Sequence, residues 1–129
     1  MKNIQQLFKI AQTAMQNAYA PYSKFKVGAA ILADNQKTYS GCNVENISYP
    51  CGTCAEAGAI SAMIADGGHK IKKILIVSDG KKMITPCGTC LQRIKEFSNA
   101  DTEIILTDAE KNFYHYQIAD LLPQAFKEF

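Results

Sequence analysis

Apolar residues at Ile4, Leu7, Phe8, Ala11, Ala14, Met15 and Ala18 recur at the spacing of one helix face, and the pattern ends before Ala20-Pro21. This predicts an amphipathic helix packed on a core. VGAAILA, residues 27–33, is apolar on both faces, DNQK makes a turn, and TYSGCNV, residues 38–44, brings β-branched and aromatic residues, so the pair reads as a β-hairpin. CAEAGAISAMIAD carries a helical pattern from Cys54 and stops at Gly67-Gly68, after which KKILIVS, residues 72–78, is a buried strand. Thr85-Pro86-Cys87 starts another helix, with Pro86 suited to its first turn, and that helix runs to about Phe97. TEIILT (102–107) and FYHYQI (113–118) are further strands. The order α-β-β-α-β-α-β-β predicts a three-layer α/β/α sandwich: a central mixed sheet of five strands with helices on both faces, in one domain spanning residues 1–129.

Composition narrows the function classes. A chain of 129 residues, 47% hydrophobic and 20% charged, is long enough to form a core without disulfides or metal, so a bound metal is expected to serve chemistry. The formal charge is +2, and no dense Lys/Arg block marks a nucleic-acid footprint. Small substrates suit this balance better than polymers do. The N-terminal stretch has no continuous apolar region of the secretory kind, and no segment approaches bilayer length; a cytoplasmic protein is expected. Five cysteines, an odd number without a secretory signal, favour reduced thiols or metal ligands over a disulfide framework.

The string CGTC occurs twice, at Cys51–Cys54 and at Cys87–Cys90. A four-sulfur zinc site, a redox dithiol and a less symmetrical metal site are all consistent with two such pairs. Cys54 opens one predicted helix and Cys87 and Cys90 open another, where the positive helix end favours thiolates and suits them to Zn²⁺. Glu56 follows Cys54 by two residues. Cys-Ala-Glu followed by Pro-Cys-Gly-Thr-Cys fits the three-cysteine variant of the zinc deaminase signature, and three protein ligands leave the fourth tetrahedral position open, as in catalytic zinc. Each residue also has a plainer reading. Glu56 is placed to close a capping box with Thr53, Cys54 and Cys42 suit small buried positions, and Cys51 as a fourth ligand would close the site. His69 and His115 read as structural.

Beyond these motifs, APYSKFKVGAA, GCNVENISYP, CAE, PCGTC and LLPQAF together resemble the blocks of homotetrameric cytidine deaminases, in the same order and along nearly the whole chain. The resemblance implies one Zn²⁺ per chain on Cys54, Cys87 and Cys90, Glu56 as proton shuttle, and Asn43 and Glu45 as binders of the ribose hydroxyls. It further implies that Phe25 lines the nucleoside pocket, and that Tyr49 and Phe126 reach into a neighbouring subunit's site. The implied reaction is hydrolysis of cytidine and deoxycytidine to uridine and deoxyuridine plus ammonia, in pyrimidine salvage. On this reading Glu56 takes the proton of a water acidified by zinc, then protonates N3 of cytosine and later the departing amine. Asn43 and Glu45, two residues apart on an extended segment, are expected to project to the same side; their plainer reading is turn formation. A small-molecule deaminase would share the zinc site without needing N-V-E-N, an editing deaminase would need a basic aromatic groove, and a non-enzymatic zinc module would be indifferent to Glu56.

The chain departs from the family at two positions. Many members carry Arg directly after C-A-E and after P-C-G-x-C, where this chain has Ala57 and Leu91. Zinc with three thiolates carries a charge of −1, which those arginines would offset, so the helix N-termini are expected to carry more of that load. Arg93 lies two positions beyond Leu91 and is expected to point elsewhere.

Overall fold

The structure, a computed structural model, describes residues 3–129. Helix α1 (Ile4–Gln16) starts at Asn3, whose side chain accepts from the Gln6 N–H while the Gln6 side chain accepts from the Asn3 N–H. Two donors left free at a helix start are thereby satisfied. The chain continues through β1 (Val27–Ala33), β2 (Thr38–Cys42), α2 (Ala55–Ala65), β3 (Ile71–Ser78), α3 (Gly88–Glu96), β4 (Glu103–Thr107) and β5 (Phe113–Tyr116), the order expected from the sequence.

Two short elements add to that set. Tyr49–Cys51 forms a single 3-10 turn, and α4 (Ile118–Leu121) takes Ile118 out of the strand expected to include it. The Gln117 N–H donates to the Asp120 carboxylate, which caps α4 and ends the strand pattern. Strand β2 stops at Cys42 because Val44 leaves the sheet to pair its backbone with Thr53. Pro86 lies before α3 and not in its first turn: Cys87, in an extended conformation, is the N-cap, and Gly88 is the first helical residue.

The five strands form one sheet in the order β2-β1-β3-β4-β5. Strand β1 runs antiparallel to both β2 and β3, β3 runs parallel to β4 through the α3 crossover, and β4 is antiparallel to β5. Alternate residues face opposite layers. Ile31, Ile74, Ile76, Ile104 and Leu106 pack with Ala59, Met63 and Ile94 of α2 and α3. Leu32, Leu75, Val77 and Ile105 pack with Leu7 and Ala11 of α1. Burial on both faces is why these strands read as continuous apolar runs.

Two glycines set how closely helices approach the sheet. A Cβ on Gly28 would stand 2.1 Å from the Ala11 carbonyl oxygen, and one on Gly41 would stand 2.4 Å from the Ala55 carbonyl oxygen. The Gly41 contact fixes the first turn of α2 on the sheet. Register completes the arrangement: Gly28 lies opposite Cys42 and Val27 opposite Ser78. The segment entering β1 and the segments leaving β2 and β3 therefore meet at one edge, at the carboxyl end of the parallel pair, where open α/β sheets place their ligands.

Candidate metal centre and active site

Three sulfurs meet at that edge. Cys54 is the N-cap of α2, Cys87 is the N-cap of α3, and Cys90 lies in the first turn of α3. Their Sγ atoms all lie within 4.8 Å of one another. Sulfurs around tetrahedral zinc, with bonds of about 2.3 Å, stand about 3.8 Å apart, a spacing inside that bound, so this donor set fits zinc. Cys51 sits exposed in the 3-10 turn and Cys42 in β2; neither belongs to the cluster. The closed four-sulfur site is not formed among the described residues, and a fourth metal position is left free of protein sulfur.

The sulfurs differ in surroundings. The N–H groups of Cys90 and Thr89 favour the thiolate of Cys87 and lower its pKa, against a smaller opposing effect of burial. Burial pushes the Cys90 thiol up, aided by the neighbouring charges of Glu56 and Cys54. A buried thiolate at Cys90 therefore needs positive charge beside it.

Glu56 is the second residue of α2 and is 5% exposed. The capping box with Thr53 does not form, because Cys54 occupies the N-cap and makes no side-chain capping bond. Thr53 instead exchanges two backbone hydrogen bonds with Val44, both 2.9 Å. The Glu56 carboxyl is left to face the site. Burial raises its pKa, opposed by its own N–H, the Arg93 charge and the Cys90 thiol. A carboxyl raised in this way gives up and takes back a proton more readily near neutral pH.

The opposite wall is a clamped strand-like segment. Asn43 O and Glu45 N pair with Tyr19, and Val44 pairs with Thr53 on the other side. Both polar side chains then point to the segment entering β1, as the two-residue spacing requires. Asn43 Nδ2 donates to the Phe25 carbonyl and its Oδ1 accepts from the Val27 N–H, each at 2.8 Å. Glu45 accepts from the N–H groups of Tyr22 and Ser23 and from the Ser23 hydroxyl. Lys24, directly after these donors, takes a left-handed conformation with φ of 60° as the chain turns toward β1. The Ser23 hydroxyl, with those N–H groups, holds the Glu45 carboxyl below its usual range. Sequence reasoning missed Ser23 and the Tyr22 N–H: A-P-Y-S-K-F signals a turn, and nothing in it names Glu45 as the group enclosed.

Between the walls lies a cavity of about 680 Å³, bounded by Cys54, Glu56, Cys87 and Cys90 on one side and by Asn43, Glu45 and Tyr49 on the other. The volume suits a small molecule. Tyr49 lies on the rim of its own chain's cavity, its ring edge-on to Tyr22 at 6.2 Å between centroids. Phe25 is not part of the lining; its ring packs on the core beside Gly80, and its carbonyl fixes Asn43. Phe126 is also outside the cavity, 62% exposed, with its backbone held at both N–H and C=O by the Gln92 side chain. His69 and His115 lie outside the sulfur cluster; the His69 N–H donates to Asp34, and His115 Nδ1 stands 2.8 Å from Glu103.

Arg93 corrects a sequence expectation. Its Nη1 stands 3.6 Å from Cys90 Sγ. Counted from Leu91 it points elsewhere, but counted from Cys90 it is three residues on, which is the same helix face. Ala57 and Leu91 are both buried apolar residues.

Residues 1–106 match the family model described as the cytidine and deoxycytidylate deaminase zinc-binding region. A cytidine deaminase of Sporosarcina psychrophila is 38% identical over 98% of this chain and 93% of its own length. One from Mycoplasma genitalium is 37% identical over 98% of this chain and 97% of its own. Among solved structures, a cytidine deaminase from Burkholderia pseudomallei superposes with a TM-score of 0.90 at 38% identity, covering 97% of this chain and 100% of that one. Likeness of this extent takes in both cysteine motifs, the Asn43–Glu45 segment and the whole sheet, and the chain therefore belongs to the cytidine and deoxycytidylate deaminase family.

Proposed function

We propose that the protein hydrolyses cytidine and deoxycytidine to uridine and deoxyuridine plus ammonia, as a cytoplasmic enzyme of pyrimidine salvage. One observation carries the reading: the three sulfurs and the buried carboxyl of Glu56 share a single cavity with the Asn43–Glu45 wall. Cys54, Cys87 and Cys90 would hold one Zn²⁺ per chain, which when bound would supply a Lewis acid for water. Glu56 moves the protons, from the water to N3 of cytosine and then to the C4 amine that leaves as ammonia. Its burial keeps the carboxyl away from bulk water and raises its proton affinity.

The opposite wall selects the substrate. Asn43 uses one N–H and one lone pair on the backbone, so one N–H and one lone pair remain for sugar hydroxyls. Glu45 is held ionised by its donors and repels a phosphate at the same place, which favours nucleosides over nucleotides within a family that includes both. Phe25 contributes through its backbone carbonyl, which fixes Asn43.

The assembly is a homotetramer of single-domain chains with shared sites. Ile47 and Tyr49, 77% and 76% exposed, stand near the cavity mouth and leave an apolar surface for a neighbouring copy to cover. Tyr49 and Phe126 reach the neighbour's nucleoside in that arrangement. Ultraviolet monitoring of zinc-loaded protein tests the substrate assignment. Cytidine and deoxycytidine are turned over, while cytidine 5′-monophosphate, free cytosine and cytosine in single-stranded DNA are poor substrates. Comparable kcat/KM on the monophosphate refutes it.

A further inference from the structure

We infer that Arg93 is a positioning residue of the metal centre, pairing with the Cys90 sulfur and taking over the charge-offsetting task left vacant by Ala57 and Leu91. This rests on the zinc reading above. The Arg93 Nη1 lies 3.6 Å from Cys90 Sγ, within reach of an N–H···S hydrogen bond. A plainer account is that a basic side chain near the end of α3 simply complements the helix dipole, as Lys95 does. The direction of the side chain argues against that account. Helical side chains lean toward the N-terminus of their helix, and this guanidinium follows that lean back to the first turn, where the sulfurs are.

The consequence follows from charge. Three thiolates on a divalent ion leave a centre of −1, and Cys90 is the most buried of the three sulfurs. A guanidinium at its edge offsets that charge and draws electron density from the sulfur, so the centre is held more tightly and the metal is left a stronger Lewis acid. Sulfur at Cys90 gains a fixed direction from the same contact. In this chain the offsetting cation thus comes from Arg93, the sixth residue of α3, which explains how α2 and α3 keep apolar residues at Ala57 and Leu91 without leaving the centre unbalanced.

Two readouts on the intact protein test this, using wild type, Arg93→Lys and Arg93→Met. The first is the rate at which zinc passes to a chromophoric chelator. The second is the near-ultraviolet thiolate-to-metal charge-transfer band of protein loaded with cobalt(II) alone. Arg93→Met is expected to release zinc about 10-fold to 100-fold faster and to move the cobalt band to longer wavelength, since a thiolate without its cation is easier to oxidise. Arg93→Lys restores part of both. Equal melting temperatures of the metal-free proteins establish that the exposed substitution leaves the fold alone. Unchanged zinc release and an unmoved band in Arg93→Met overturn the inference, as does a Lys variant no better than Met. Wild type that binds neither metal overturns the zinc reading as well, which separates the two failures.

Discussion

Ser23 and Glu45, 22 residues apart in sequence, are joined twice: the Ser23 N–H donates to one Glu45 carboxylate oxygen at 3.1 Å and the Ser23 hydroxyl donates to the other. The loop that enters β1 is thereby tied to the segment that leaves β2, and the carboxylate is held ionised. With a folded pKa below the ordinary value of 4.5, Glu45 stays charged as pH falls from about 7 to about 5. Its contribution to stability has the same sign, present above the unfolded pKa and lost as pH falls through the folded one. The KM for cytidine in wild type is expected to begin rising only at lower pH than in Ser23→Ala, where the strongest hold on the carboxyl is gone. Superimposable KM–pH profiles would contradict this role for Ser23.

Zinc content separates the cysteines. Replacing Cys54, Cys87 or Cys90 by Ala is expected to abolish tight zinc binding, because each supplies one of the three clustered sulfurs. Cys51→Ser, exposed and outside the cluster, is expected to keep zinc and activity nearly intact. Metal analysis of the four purified variants decides it, and zinc loss in Cys51→Ser would restore the four-sulfur arrangement.

The two glycines between α2 and β2 respond in opposite ways. Gly41→Ala forces a Cβ to within 2.4 Å of the Ala55 carbonyl oxygen, so it is expected to destabilise by about 1–3 kcal/mol or more and to slow turnover by shifting the turn that carries Glu56. At Gly58, in mid-helix, the nearest atom to an added Cβ is 3.5 Å away. Gly58→Ala is expected to be neutral or stabilising by up to about 1 kcal/mol. Urea unfolding of both variants checks the pair; equal effects would mean that α2 does not sit as closely on β2 as described.

The parts of this molecule that were legible in the sequence are those governed by periodicity and by short motifs. VGAAILA throughout and Ile74–Val77 within KKILIVS are continuous apolar runs, so their burial on both faces could be read directly. Cys54, Glu56, Cys87 and Cys90 could be read as helix-start residues from their motifs, and the sheet topology then brings the two helix starts to one end. What was not legible depends on polar hydrogen bonds that apolar periodicity does not encode. Thr53 loses the N-cap to Cys54 because its backbone is engaged by Val44. The 3-10 turn at Tyr49–Cys51 and the cap of α4 by Asp120 arise from local hydrogen bonds that no apolar pattern encodes. Arg93 shares a helix face with Cys90, three residues back, a relation that its distance from Leu91 does not reveal.

Subunit mixing tests whether the cavity is completed by a neighbour. Phe126→Ala keeps its own Glu56 and zinc but offers no ring, while Glu56→Gln offers a ring but cannot move the proton. A ring stacked on the base is worth about 0.5–1.5 kcal/mol beyond area burial, so mixed assemblies are expected to exceed the summed activity of the parents. No recovery after subunit exchange has been verified by mass measurement would place Phe126 outside the neighbour's site.

The buried carboxyl at the centre gives the most direct measurement. In Glu56→Gln the amide keeps the shape of the side chain but cannot carry a proton, so zinc content and melting temperature are expected to stay near wild type. Turnover of cytidine, followed by ultraviolet absorbance, is expected to fall by about 10²–10⁴-fold or more, the usual contribution of general acid–base catalysis. Preserved turnover with a lowered melting temperature would instead make Glu56 a structural residue and contradict the account.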